Sequence, residues 1–206
     1  MTEPLDLLAR LRHRANGVAP DIDGLVASAI AQADTAGLVD IAWTTTDTPI
    51  GPLTLTATPR GVLRIGFGTE EGVLDDLAST VSPRVLHLPA RLDALRRQLD
   101  EYFAGRRHDF DLPLDRRLSR GYRGRVLEAL ASDVHYGETV TYKYLAERTG
   151  NPRAYRAVGT AMATNPIPIV VPCHRVLNTG GALGRYGGGI ERKAWLLRLE
   201  GARLLD

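Results

Sequence analysis

The sequence is nearly devoid of cysteine. Its 206 residues include one, Cys173, which excludes an intramolecular disulfide and any zinc site built from several cysteines. It also lacks any apolar run approaching the roughly 18 residues that a membrane span requires. The start, Met1-Thr-Glu-Pro-Leu-Asp, is acidic where a secretory leader would be basic, so the expected compartment is the cytoplasm, with no membrane partner. Internal repeats and low-complexity stretches are missing too. Net charge is a mere +2, but unevenly spread: residues 151–206 hold eight Lys/Arg against three Asp/Glu, and the rest hold eighteen against twenty-one. A basic C-terminal segment suits a polyanionic partner, although a solvated basic surface looks the same. In a reducing compartment a lone cysteine is either a small buried hydrophobe or a reactive thiol.

What is present has clear punctuation. Residues 4–35 read as two short amphipathic helices, with Leu5, Leu8 and Leu11 in the first and Ile22, Leu25, Ile30 and Ala33 in the second, separated by Gly17-Val-Ala-Pro20. The period then changes. Leu38-Val-Asp-Ile-Ala-Trp43, Gly51-Pro-Leu-Thr-Leu-Thr-Ala57 and Gly61-Val-Leu-Arg-Ile-Gly-Phe67 predict a three-stranded antiparallel meander, broken at Thr48-Pro49, Gly51-Pro52 and Pro59-Arg-Gly61. Helices follow over 72–80 and 90–104, the latter with Leu92, Leu95, Leu99 and Phe103 on one face, and then an extended piece, Asp109–Pro113.

From Ser119 the pattern is helical: 119–132, with Tyr122, Val126, Leu127 and Leu130 inward, a turn at Tyr136-Gly-Glu138, then 141–149. Gly150-Asn-Pro152 breaks the chain and Pro152 is placed at the first position of a helix over 153–163. Helix, turn of about four residues and helix is the outline of a helix-turn-helix, and equally of an ordinary helical hairpin. Asn165-Pro-Ile-Pro168 ends it, Ile169-Val-Val171 runs into the cysteine, and a last helix spans 191–200 with Trp195, Leu196 and Leu199 inward. The organisation is an N-terminal extension (1–37), a sheet-and-helix domain (38–117) and a helical domain (118–206).

The stretch Pro172-Cys-His-Arg175 carries the chemical interest. A thiol attacks as thiolate, so its pKa must fall from about 8.5, through a nearby base or positive charge, and a base needs a third group to orient it. Cys173, His174 and Glu200 are candidate nucleophile, base and orienter. Adjacent side chains need not point together, and a bridging water would solve that geometry. A buried cysteine beside a satisfied histidine fits the same three residues.

The flanks enlarge the pattern. Asn165-Pro-Ile-Pro-Ile-Val-Val-Pro-Cys-His-Arg-Val176, Gly184-Arg-Tyr-Gly-Gly-Gly-Ile190 and Lys193-Ala-Trp-Leu-Leu197 strongly resemble the O6-alkylguanine-DNA alkyltransferase family. The resemblance is dense over 119–202, looser over 38–117 and absent over 1–37. It implies an α/β (α+β) protein, with a ribonuclease-H-like N-terminal domain carrying a small antiparallel sheet and a winged-helix or helix-turn-helix-like C-terminal domain carrying the site. It implies single-use repair of O6-alkylguanine, and to a lesser extent O4-alkylthymine, by irreversible alkyl transfer to Cys173. His174 becomes its water-mediated base, Glu200 the orienter, Tyr142 a proton donor to guanine N3 and Lys193 a supporting cation. Carbonyls of Cys173 and Val176, amides of the Tyr186-Gly187 loop, faces from Met162 and Tyr186, a wall at Pro168 and Asn165 form the base site.

The resemblance further implies that the partner is double-stranded DNA, gripped in the minor groove without sequence preference by a monomer that needs neither metal nor cofactor. Arg156 fills the space left by the flipped nucleotide, Tyr142 presses on its phosphate, and small residues Ala154 and Gly159 let the helix approach. Tyr155 departs from that smallness, Leu127 stands where a tryptophan is frequent, and the cysteines of a zinc site known in some relatives are missing. His13, His87, His108 and His135 are expected to be structural or surface groups. Two other readings remain open: a non-enzymatic alkyltransferase-like lesion binder, and a cysteine hydrolase using Cys173 and His174, which would also need an oxyanion hole.

Overall fold

The computed structural model describes residues 22–68 and 70–202. The chain divides at Leu38/Val39 into two units. In the first, helix α1 (Ile22–Thr35) leaves Leu25 of the anticipated apolar stripe 65% exposed, while Ile30 and Ala33 are half-buried. The helix anticipated around Leu5, Leu8 and Leu11, and His13, lie outside the described residues.

The second unit begins with strands β1 (Ile41–Thr46), β2 (Leu53–Thr58) and β3 (Gly61–Phe67), the antiparallel meander read from the sequence, in register Thr44↔Leu55 and Leu55↔Ile65. Gly61, at φ 131°, is required twice over. It adopts a backbone region that side chains avoid, and a Cβ there would meet Pro113 O at 2.1 Å. Helix α2 (Glu70–Thr80) then carries the chain to a strand the sequence reading lacks, β4 (Val85–His87), which joins β1 in parallel, Ile41↔Val85. The sheet order is β3-β2-β1-β4, so the sheet is mixed rather than antiparallel throughout. Three residues have no legible alternation, and a parallel pair is joined by a crossover helix rather than by a turn with its own signature.

A 3-10 turn (Pro89–Leu92) runs into α3 (Asp93–Phe103). Beyond it come α4 (Gly121–Asp133), β5 (Val140–Thr141), α5 (Tyr142–Arg148), α6 (Tyr155–Ala163), a 3-10 turn (Cys173–Arg175), β6 (Val176–Leu177) and α7 (Ile190–Leu199). Thr141 caps α5, its hydroxyl accepting from Tyr144 N at 3.1 Å. Pro152 is not the first residue of the next helix. Asn151 O accepts from Ala154 N (2.9 Å) in a turn, so α6 starts at Tyr155 and six residues separate the two helices. The short parallel pair β5–β6, Val140↔Val176, ties the start of α5 to the residues just after Cys173.

One continuous core joins both halves of this unit. Leu53, Leu55 and Ala57 pack with Leu92, Leu95, Leu99 and Tyr102, and that cluster continues through Val126, Leu127, Leu130, Leu145, Val158 and Ala161 to Val171, Cys173 and Leu196. The opposite sheet face covers Ile41, Leu63, Val73 and Leu77. With both faces covered, every β2 residue is buried. Each large apolar side chain so buried contributes about 1.5–3 kcal/mol, which holds the Cys173 turn to the rest of the unit.

Candidate active site

The turn that precedes the cysteine is braced from within. Asn165 Oδ1 accepts from Ile167 N (3.1 Å), while its Nδ2 donates to Val171 O (2.8 Å) and to Cys173 Sγ (3.1 Å). Inside the turn Ile169, buried and β-branched, sits at φ 74°. Such a conformation costs on the order of 1–3 kcal/mol and persists where surrounding packing and hydrogen bonds impose it. Asn165 therefore sets the position of the sulfur as well as the shape of the turn.

Cys173 opens the 3-10 turn and is 4% exposed. Burial pushes its thiol up to about 11, against the smaller opposing pull of the Asn165 amide and Lys193. The resting site therefore holds a thiol. The lowered thiol pKa expected from the sequence is not found in the folded chain. His174, fully buried, directs Nε2 at Glu200 Oε1 (2.8 Å), so the carboxylate accepts and the Nε2 position carries the proton. Nδ1 is left with its lone pair and bonds no protein atom. Burial lowers the His174 pKa despite the carboxylate, which keeps the ring neutral and able to accept.

Glu200 caps the end of α7. Burial alone would raise its carboxyl, but bonds from His174 and from Arg175, whose Nε lies 2.8 Å from Oε2, pull it down to about 2. Arg175 also donates to Val134 O (2.8 Å) and to Glu200 Oε1 (3.0 Å). Lys193, fully buried, donates from Nζ to Val176 O (2.6 Å) and to Leu183 O. Desolvation lowers its pKa to about 8, against the opposing influence of Cys173. The Val176 carbonyl thus already accepts from one buried cation.

These shifts carry a stability prediction. The Glu200 and His174 pKa values are both depressed in the folded chain, so the unfolded chain binds more protons in acid. The neutral-His174 contribution is present above its ordinary value of 6.5 and wanes below it. The Glu200 contribution is present above 4.5 and is lost as pH falls from there towards 2. Thermal denaturation should show Tm falling as pH drops through both windows, with Glu200 worth on the order of 3 kcal/mol. Glu200→Gln should lower Tm at neutral pH and flatten the acid limb; an unchanged acid limb in that variant contradicts the assignment.

One cavity reaches the sulfur and a larger groove adjoins it. The cavity, small at about 190 Å³, brings Cys173 together with Met162, Asn165, Pro168, Tyr186 and Gly187, and β3 closes it with Arg64, Gly66 and Phe67. Phe67 packs edge-on to Tyr186, ring centroids 5.7 Å apart. An open groove of about 1240 Å³ lies beside it, lined by Tyr142, Tyr155, Arg156, Gly159 and Arg185. Tyr186 and Ala163 belong to both linings. Tyr142, half-buried, has its hydroxyl pKa raised by burial and then by Cys173. Tyr155 is 50% exposed and its ring centroid lies 5.9 Å from the Arg156 guanidinium carbon, within cation–π reach. Ala154 caps α6 without lining either cavity.

Most of the anticipated site residues therefore meet around one sulfur. The sequence reading misses the β3 wall, the Arg175 clamp and Tyr102, whose hydroxyl reaches Glu200. Arg175 could have been marked by its place in the Pro-Cys-His-Arg run. The wall and Tyr102 depend on tertiary packing and leave no local signal. Among the other histidines, His87 packs on Trp43 and His108 stacks on Tyr136, while His135 is exposed. Among the described residues no cluster of three His, Cys, Asp or Glu is arranged to hold a metal, and no helix is long and apolar enough to cross a membrane.

Residues 41–116 match the 6-O-methylguanine DNA methyltransferase ribonuclease-like domain, and residues 121–202 match the DNA binding domain of the same family. The methylated-DNA–protein-cysteine methyltransferase of Mycobacterium tuberculosis (strain H37Rv) is 43% identical over 166 residues, covering 79% of this chain and 94% of that protein. The human protein of the same name is 37% identical over 167 residues, covering 78% and 81%. The crystal structure of Mycobacterium tuberculosis OGT in complex with DNA superposes with a TM-score of 0.67 at 40% identity, covering 78% of this chain and 92% of that one. With its halves matched in sequence and fold alike, and its lone cysteine in the Pro-Cys-His-Arg turn, this chain belongs to the 6-O-methylguanine DNA methyltransferase family.

Proposed function

We propose that this protein repairs O6-alkylguanine in DNA by extruding the damaged nucleotide and taking its alkyl group permanently onto Cys173. The carrying observation is the buried Cys173 thiol beside a neutral His174 whose Nδ1 is free of protein partners, in a small cavity next to an arginine-bearing groove. The relatives named methylated-DNA–protein-cysteine methyltransferase, and the related structure in complex with DNA, support the same substrate.

In the proposed reaction a water relays the Cys173 proton to His174 Nδ1, and the Glu200 carboxylate stabilises the imidazolium. Sulfur attacks the alkyl carbon in line, the S–C bond forms and the C–O6 bond breaks. The departing guanine takes a proton at N3 from the Tyr142 hydroxyl, which the histidine side then replenishes, so the thiol proton ends on guanine. Lys193 adds positive charge beside the developing thiolate. Carbonyls of Cys173 and Val176 accept from the exocyclic amine, and amides at Tyr186-Gly187 donate to O6. Met162 and Tyr186 cover the base faces, Pro168 forms a wall, and Asn165 holds the sulfur in place.

Extrusion is required because a stacked base cannot present the back of its alkyl carbon to a buried sulfur. Helix α6 enters the minor groove with Ala154 and Gly159 at the close approach, Arg156 fills the vacated stack and Tyr142 presses on the phosphate. Tyr155 braces Arg156 through its ring face. A monomer suffices, and binding weakens with salt, since phosphates carry it. O4-alkylthymine is a poorer substrate for the same pocket. The domains divide near residue 117, and every step is carried by groups of the C-terminal domain with support from the N-terminal one.

Mass spectrometry after mixing with duplex O6-methylguanine DNA should find one CH2 added to the peptide containing Cys173, at one equivalent of lesion per protein. A thioether offers no route back. Repair continuing well past one equivalent contradicts the proposal. Protein that stays unmodified yet bound to the lesion would make it a lesion binder.

A further inference from the structure

The carboxylate that orients His174 is also held by a residue from the other half of the fold. Tyr102, in the last turn of α3, is 0% exposed and donates its hydroxyl to Glu200 Oε1 at 2.7 Å, across 98 positions of sequence. Oε1 also accepts from His174 Nε2 (2.8 Å) and Arg175 (3.0 Å), while Oε2 accepts from Arg175 Nε (2.8 Å) and Gly137 N (3.4 Å). The Tyr102 ring is locked by Phe103, Phe110 and Tyr136, at centroid distances of 5.4, 5.5 and 6.1 Å. A phenylalanine would fill that aromatic cluster equally well. The oxygen is therefore unnecessary for packing, and its bond ends on the group that aligns the imidazole.

We propose that Tyr102 is a positioning residue for alkyl transfer, its hydroxyl fixing Glu200 Oε1 against the His174 Nε2 proton. The ribonuclease-like half thereby contributes a group to the chemistry of the other half. This rests on the roles proposed above for Cys173, His174 and Glu200.

The hydroxyl stays protonated, because burial and the neighbouring carboxylate both raise its pKa. As a donor it draws negative charge from Oε1. Without it the carboxylate stabilises the imidazolium more strongly and is freer to rotate. The other groups around this pair stay as they are: Arg175, Lys193 from α7, Tyr136, Tyr186 and the Cys173 thiol. Tyr136 Oη itself donates elsewhere, to Leu199 O at 3.0 Å.

The test is Tyr102→Phe in the full chain, read three ways. A nitrogen-15 NMR titration of His174 should show its pKa raised relative to wild type. The rate of transfer from duplex O6-methylguanine should fall about tenfold at neutral pH, and its acid limb should move to higher pH. A lower Tm with an unmoved His174 titration and an unmoved normalised pH–rate profile would make Tyr102 a packing residue and overturn the proposal. If the variant does not fold, the wild-type hydroxyl proton decides: a protected, downfield signal close to the His174 Nε2 proton supports the proposal, and a freely exchanging one overturns it. Wild-type protein that transfers nothing to Cys173 would defeat the functional reading instead, while the His174 titration would still report whether Tyr102 acts on Glu200.

Discussion

Cys173→Ser is expected to reduce alkyl transfer by at least about four orders of magnitude, equivalent to more than about 5 kcal/mol of barrier, while leaving lesion binding largely intact. The two side chains differ by one atom, and serine retains a donor from Asn165 Nδ2, so the turn should keep its shape. What disappears is the acidity. Even the thiol is held up to about 11 by burial, and a hydroxyl is far less acidic than any thiol in the same place. Oxygen is also the poorer nucleophile toward a saturated carbon. Labelled-methyl transfer would measure the loss, and fluorescence polarisation with a lesion-bearing duplex would measure binding. Serine protein that still strips methyl groups at a comparable rate removes Cys173 from the centre of the mechanism. Loss of binding in step with transfer would mean that the substitution had disturbed the fold.

The parts of this arrangement that sequence could foretell are those with local punctuation. Strands β1 to β3 stand out because Thr48-Pro49, Gly51-Pro52 and Pro59-Arg-Gly61 bound runs of alternating β-formers, and the structure keeps that meander. Strand β4 has three residues and a parallel partner, so neither alternation nor a hairpin turn announces it. Proline's fixed φ suits a first helical position and so points to too early a start for α6, whereas Asn151 and Ala154 close a turn around Pro152 instead. Gathering is similarly divided. Cys173, His174 and Glu200 can be picked out from a dense residue pattern, but nothing in it tells which imidazole nitrogen meets the carboxylate.

Electrostatics was the least legible part. A thiol beside a histidine and a lysine reads as an activated one, yet packing dominates and pushes it the other way. That sign depends on how completely the core closes over the sulfur, through residues such as Val171 and Leu196 that carry no chemistry. Tyr102 is the same lesson in reverse. The helical pattern placed Phe103 in the core stripe, but Tyr102 is the fully buried neighbour, and its hydroxyl faces a carboxylate supplied by the far end of the chain.

Arg156→Ala should separate extrusion from chemistry. Arg156 is exposed in the first turn of α6 and lines the open groove, whereas the small cavity around Cys173 is lined by other residues. Flipping a nucleotide costs a few kcal/mol in lost stacking and pairing. A guanidinium that takes the vacated place offsets part of that cost, and it brings charge to the phosphates as well. Removing it should slow repair of duplex O6-methylguanine by about 10- to 100-fold, the equivalent of roughly 1–3 kcal/mol. A free O6-benzylguanine base needs no flipping, so its reaction with Cys173 should change by less than about threefold. A lesion placed opposite a mismatched base is already poorly stacked and should recover part of the duplex loss. Rate constants on the three substrates, measured at one ionic strength because phosphate contacts are salt-dependent, test the assignment directly. Equal losses on free base and duplex would place Arg156 in the architecture of the pocket and leave the vacated stack without its filler.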